Sequence, residues 1–214
     1  MEKVAIFDLD GTVLDTKEDI ADCMNKTIVS FGYKERTYAE YKQVIGNDAV
    51  NFMRTLLGEM PIEKLMEIWH SYEKVYDRFG INKTKLFDGV KEVLITLKER
   101  GYKLSLLTNK TVEELMPFIS VFFTDLPFDD IVAVGNTEGA KPSPKEVFRI
   151  LSDFEVEKEN AFLIGDGETD ILAAINADIT PIAVLWGNRT EEQLKAVGAK
   201  IFIDTPEQIL QVLK

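Results

Sequence analysis

Apolar positions follow two rhythms along this chain. Val4-Ala5-Ile6-Phe7 is an unbroken apolar run that stops at Asp8. Such a run is the pattern of a strand buried on both faces of a parallel sheet. The rhythm then turns helical and stays so for the next stretch. Thr16 is expected to N-cap a first helix, with Glu18 and Asp19 in its first turn and Gly32 at its end. Thr37-Tyr38-Ala39-Glu40 predicts a capping box opening a short second helix that stops near Gly46. Asn47 or Asp48 starts a third, with Phe52, Met53, Leu56 and Leu57 on one face, and Gly58 ends it. Pro61 suits the first turn of a fourth, through Leu65, Ile68, Trp69, Tyr72 and Val75 to Gly80.

From Phe87 strands and helices alternate. Strands are predicted at 103–107, 131–134, 161–164, 181–185 and 201–203. Helices are predicted at 89–100, 171–177 and 190–197, after capping boxes at Thr111–Glu114 and Ser143–Glu146, and after Thr205-Pro206. Alternation at this spacing means βαβ units, an α/β fold and a Rossmann-like parallel sheet. The first strand joins that sheet across the helical stretch. The expected division is an α/β core from 1–14 and 83–214, interrupted by an all-α insert at 15–82.

The chain has 214 residues, enough for one α/β domain or for a core with a smaller insert. No apolar run is long enough for a transmembrane helix, and a strand beginning by Val4 leaves no room for a signal peptide. Cys23 is the only cysteine, so no intrachain disulfide forms and a reducing cytoplasm is expected. A formal net charge of -12 disfavours nucleic acid and anionic membrane as partners. It also makes any phosphate site a local exception, built from a metal, a lysine and backbone N–H groups. A monomer or homodimer is expected.

Polar chemistry collects where the predicted strands end. Asp8 and Asp10 follow the first strand and precede a Gly11-Thr12 turn. Two carboxylates so close repel, and a divalent cation is the usual remedy. Thr108, Asn109 and Lys110 follow the second strand, Lys141 lies in a loop before a helix, and Asp166 follows a fourth core strand with Asp170 four residues on. Taken singly, Thr108 caps a turn, Lys141 is a solvated loop lysine and Asp166 is a turn residue. Those readings leave their common placement unexplained, because open α/β sheets bind ligands at the carboxyl ends of their strands.

Asp8-Leu9-Asp10-Gly11-Thr12-Val13, Leu107-Thr108-Asn109-Lys110, Lys141-Pro142 and Gly165-Asp166 with Asp170 resemble, in order and rough spacing, the four motifs of the haloacid dehalogenase superfamily. The helical insert resembles the α-helical cap of its phosphoglycolate phosphatase-like branch, as does the tail Val184-Leu185-Trp186-Gly187. The resemblance implies a phosphatase that binds Mg²⁺ through Asp8, the Asp10 carbonyl and Asp166, with a small phosphorylated metabolite as partner. Asp8 would be the nucleophile and Asp10 the acid and base. Thr108 and backbone N–H groups near Leu9 and Asn109 would hold phosphate, Lys141 would offset charge, and Asp170 would orient the metal's waters or Lys141. An acid at position 10 favours phosphoryl transfer over halide release. The branch commonly has Ser or Thr after Gly-Asp, and here Gly167 stands instead.

Ile45-Gly46-Asn47 resembles the cap loop that faces substrate; otherwise Gly46 only stops a helix. Lys110 holds either a substrate carboxylate or the Thr-Asn turn. Met66, Trp69 and His70 are read as packing residues, Cys23 as a small buried hydrophobe, and Phe118, Phe122 and Phe123 as core. Phosphoglycolate is the named substrate. A phosphosugar mutase like β-phosphoglucomutase, an inorganic pyrophosphatase and, more remotely, a receiver-type signalling module are the alternatives.

Overall fold

The computed structural model describes residues 2–135 and 137–214. Strand β1 (Lys3–Phe7) lies near the middle of the main sheet, and its apolar run is buried from Val4 to Phe7. A two-residue strand β2 (Leu14–Asp15) follows, and then four helices: α1 (Lys17–Ser30), α2 (Tyr38–Lys42), α3 (Ala49–Leu57) and α4 (Ile62–Phe79). The chain returns through β3 (Lys85–Leu86), which pairs antiparallel with β2, Leu14 opposite Leu86 and Asp15 opposite Lys85. This ribbon, which the strand patterns did not reveal, brings the two chain crossings side by side. Asp19 Oδ2 ties the returning chain to α1 by accepting bonds from Lys83 N, Thr84 N and Thr84 Oγ1 at 2.8, 2.7 and 2.7 Å.

The alternating region comprises α5 (Val90–Glu99), β4 (Tyr102–Thr108), α6 (Val112–Phe118), β5 (Asp130–Ala133), α7 (Lys145–Asp153), β6 (Ala161–Gly165), α8 (Glu168–Ala177), β7 (Thr180–Val184), α9 (Glu191–Ala196), β8 (Phe202–Ile203) and α10 (Ile209–Val212). The six-stranded sheet runs β5-β4-β1-β6-β7-β8, with every pairing parallel. Strand order therefore reverses around β1, and the crevice at such a reversal is where α/β sheets bind ligands. Ala5 and Phe7 join one core cluster with α5 and α6, while Val4 and Ile6 face the other with α7 and α8. This alternation is the two-faced burial that the apolar run implies. The first cluster continues into the insert, where the Tyr76 and Phe118 rings meet at 6.0 Å.

Two predicted caps take another form. Thr16 sits at the N-cap of α1 without a side-chain cap bond, because its hydroxyl donates to Asp10. Ser143–Glu146 makes no capping box, because the Glu146 carboxylate is engaged by Arg149 at 2.8 Å. The boxes at Thr37/Glu40 and Thr111/Glu114 form as expected. His70 is not a packing residue: its side chain is 62% exposed and its Nδ1 lies 2.9 Å from Glu73. Trp69, one position earlier, is buried.

Candidate active site

The carboxyl ends of β1, β4 and β6 converge at the crevice, each delivering its side chain directly. Asp8 continues the β1 ladder, its N–H donating to Ile164 O at 2.9 Å. The turn after it is tight, with Leu9 O accepting from Val13 N and Leu14 N at 3.0 and 2.9 Å. Leu9 itself is wholly buried. From the loop before α7, Lys141 Nζ reaches Asp8 Oδ1 at 2.6 Å, Asp170 Oδ1 at 2.6 Å and Leu107 O at 2.8 Å. These acceptors use all three donors of an ammonium that is 3% exposed. Asn109 fixes that loop: its Oδ1 accepts from Lys141 N at 2.8 Å and its Nδ2 donates to Lys141 O at 3.0 Å.

Asp8, Asp166 and Asp170 form a buried group whose carboxylate oxygens lie within 4.8 Å of one another. Asp170 thus stands within the acidic cluster as well as bonding Lys141, and its Oδ2 accepts from Gly167 N at 2.9 Å. Burial, then the charge of Asp170, pushes the Asp8 carboxyl well above the usual carboxylate range, against the pull of Lys141. Burial and Asp170 likewise push Asp166 up to about 7, opposed by bonds from Asn188. Burial opposes the charge on Lys141, but Asp170 and Asp8 more than offset it and hold the ammonium above its ordinary range. Three carboxylates around one lysine make a hard oxygen-donor set that lacks positive charge, which is what a divalent cation supplies.

Asp10 belongs to a separate network. Its Oδ1 accepts from Thr16 Oγ1 at 2.6 Å and its Oδ2 lies 3.1 Å from Lys110 Nζ. Lys110 is buried beneath the insert, with its ammonium 4.9 Å from the centre of the Tyr76 ring and 5.8 Å from that of Phe118. Burial works against this charge, and Asp10 together with Tyr72 and Glu114 outweighs it, so Lys110 is held above its usual range. Within the chain its ammonium pairs with Asp10, while its main-chain N–H takes part in the turn at Thr108. Thr108 is buried and its Oγ1 accepts from Lys110 N at 3.2 Å.

Asp8 from the first network and Asp10, Thr108 and Lys110 from the second open on a cavity of about 40 Å³. Its floor is Asp8, Asp10, Thr108, Asn109, Lys110 and Glu114, and its roof is Ile20, Ile45, Gly46, Asn47, Ala49, Phe52, Trp69 and Tyr72 from the insert. That space holds on the order of three waters. Gly46 O accepts from Asn109 Nδ2 at 3.3 Å and from Thr169 Oγ1 at 3.4 Å, so the roof touches the floor. Gly46 adopts φ +93°, a left-handed conformation that other residues resist.

Sequence reasoning missed the partners of two aspartates. Thr16 was read as a cap, which hid its bond to Asp10. Asn188 holds Asp166 Oδ2 through its N at 2.6 Å and its Nδ2 at 2.9 Å. A side chain at Gly187 would put Cβ 2.3 Å from Asp166 Oδ2, so the close approach requires glycine. The available signal was position: residues 186–189 follow β7 at the same sheet edge.

A family model described as haloacid dehalogenase-like hydrolase matches residues 5–184. A Caldanaerobacter subterraneus subsp. tengcongensis protein, provisionally named pyrophosphatase PpaX, is 34% identical over 98% of this chain and 93% of its own length. A phosphoglycolate phosphatase of Aquifex aeolicus is 31% identical over 86% of this chain and 85% of its own. Among solved structures, a Bacteroides fragilis protein provisionally named a haloacid dehalogenase-like hydrolase superposes with a TM-score of 0.90 at 24% identity, covering 98% of this chain and all of its own. With matches over nearly its whole length, the chain belongs to the haloacid dehalogenase-like hydrolases.

Proposed function

We propose that this protein is a Mg²⁺-dependent phosphatase that hydrolyses a small phosphate monoester through an aspartyl phosphate on Asp8. The observation that carries this reading is that Asp8 and Asp10 open on one cavity but sit in different networks. One carboxylate is set among acids and Lys141, and the other is set between Thr16 and Lys110. Two carboxylates with different surroundings suit two different roles.

The donor set fits Mg²⁺, with the Asp8 and Asp166 carboxylates and the Asp10 carbonyl as its ligands and Asp170 and Lys141 as support. Bound there, the ion would supply positive charge against the phosphoryl dianion and favour the anionic form of Asp8. Asp8 attacks phosphorus, the ester P–O bond breaks, and Asp10 protonates the departing oxygen. Asp10 then takes a proton from water as its oxygen attacks the aspartyl phosphate, releasing phosphate and restoring both carboxyls. Thr108, with backbone N–H groups at Leu9 and Asn109, holds phosphoryl oxygens, and Lys141 balances their charge. We take 15–82 as the cap and the remainder as the core. Gly46 and the aromatic roof of the cap face the leaving group.

The cavity is small, and Lys110 puts a buried cation beside the general acid. Both features favour a short leaving group that is itself anionic. Phosphoglycolate is the leading substrate. Pyrophosphate is the second, and it draws on the same cation; the names of the relatives point to the same pair. A phosphosugar mutase reading has a bulkier substrate to place. A panel containing phosphoglycolate, pyrophosphate, p-nitrophenyl phosphate and a hexose phosphate, scored by kcat/KM, tests the reading. Preference for the first two, with steady phosphate release, supports it. Turnover only with a sugar bisphosphate present would replace it by the mutase. We also propose a cytoplasmic location and a monomer or homodimer.

A further inference from the structure

Outside the catalytic groups, one buried charge bridges cap and core. Arg189 follows β7 in the core and is 6% exposed. Its Nε donates to Glu168 Oε2 at 2.5 Å. Its two terminal nitrogens donate across the crevice to the cap, to Lys42 O, to Gln43 O at 3.0 Å and to Ile45 O at 3.2 Å. Carbonyls at the end of a helix lack helical partners, and a guanidinium meets several at once because its donors lie in a rigid planar fork. Glu168, on the first turn of α8, supplies the counter-charge from the core side. The segment gripped is the one that leads directly into Gly46, the residue whose carbonyl touches Asn109 and Thr169.

The residue before Arg189 acts in the opposite direction. Asn188 holds Asp166 Oδ2 through both its main-chain N and its side-chain Nδ2. Trp186 anchors the start of the same loop, its Nε1 donating to Thr12 O at 3.1 Å. Four consecutive residues thus touch the turn after β1, the carboxylate at the end of β6 and the cap.

We propose that Arg189 is a positioning residue that clamps the cap over the cavity, and that through Asn188 the clamp and the seating of Asp166 are one structural event. Closure and metal binding then favour each other, since each holds the 186–189 loop where the other needs it. The proposal rests on the phosphatase reading for its metal site and its kinetic readout, whereas the clamp itself is read by amide exchange alone.

The test uses the full chain with Arg189→Met, Arg189→Lys and Glu168→Gln, the last removing the counter-charge while keeping the arginine. Amide exchange over residues 38–57 reads closure, with 102–108 as internal reference. Calorimetric titration with MgCl₂ reads metal affinity without substrate. Steady-state hydrolysis of p-nitrophenyl phosphate separates KM from kcat. In Arg189→Met we expect exchange in the cap segment and the Mg²⁺ Kd each to rise about tenfold, with the kinetic loss mainly in KM. Arg189→Lys should recover part of this, and Glu168→Gln should fall between wild type and Arg189→Met. Unchanged exchange in Arg189→Met overturns the clamp, as does equal acceleration of the reference segment. Faster cap exchange with unaltered Mg²⁺ affinity overturns the coupling. A wild-type protein that hydrolyses no phosphate ester sinks the phosphatase reading and leaves the exchange arm able to decide the clamp.

Discussion

Lys110 Nζ lies 3.1 Å from Asp10 Oδ2, so the residue assigned to carry the proton is paired with a buried cation even without substrate. An incoming anionic leaving group would share that ammonium. Removing it should therefore discriminate between substrates. In Lys110→Met, kcat/KM for phosphoglycolate or pyrophosphate is expected to fall about a hundredfold, the order of a lost charge-assisted contact of 1.5–3 kcal/mol. The loss with p-nitrophenyl phosphate should be several times smaller. Equal losses on both would remove Lys110 from substrate discrimination.

Asp8→Asn keeps the side-chain shape and deletes the nucleophile. Turnover is expected to fall by at least about 10⁴-fold. The metal-free fold should be no less stable, because burial and Asp170 disfavour the charge that the substitution removes. Parallel measurements of kcat and Tm check both halves, and appreciable turnover would return Asp8 to a ligand role only.

The pH dependence of stability has a definite sign. Asp166 is pushed from 3.8 up to about 7 in the metal-free fold. Between those values the folded chain keeps a proton that the unfolded chain has lost, so this contribution to stability is lost as pH rises through the window. Added Mg²⁺ needs the deprotonated carboxylates and should raise Tm more at about pH 8 than at about pH 5. Melting curves in EDTA and in MgCl₂ across that range test this. A Mg²⁺-induced rise in Tm that shrinks with rising pH would contradict it. Chelation is also expected to stop hydrolysis.

Gly187→Ala forces a methyl against Asp166 at a separation of 2.3 Å, which side chains cannot tolerate. The carboxylate must move, and MgCl₂ affinity measured by calorimetry is expected to drop about tenfold or more, in the range found when a ligand's support is lost. Wild-type affinity in this variant would show that Asp166 is not a ligand.

Much of this architecture was legible because the chain announces it locally. The run 4–7 ends where Asp8 begins, and strand ends carry Thr108, Lys141 nearby and Asp166. Long-range pairings were less legible. The hydroxyl of Thr16 can bond its own helix or Asp10, and composition does not choose. The β2/β3 ribbon has two residues per strand, too few for a period to register. Lys110 meets Asp10, Tyr76 and Phe118 only once distant parts of the chain have come together. Asn188 and Arg189 lie in a loop without periodicity, so only their position after β7 hinted at a role.

The β2/β3 ribbon also bears on how such a chain can change. Residues 14 and 86 are cross-strand neighbours, so the intervening helices enter and leave the core through a single doorway. Any insert whose own ends meet can be spliced there without altering the register of the parallel sheet, which puts little entropic demand on the length of the graft. The helical segment between residues 14 and 86 thus joins the sheet at one place, and a change in its length need not disturb the strands below.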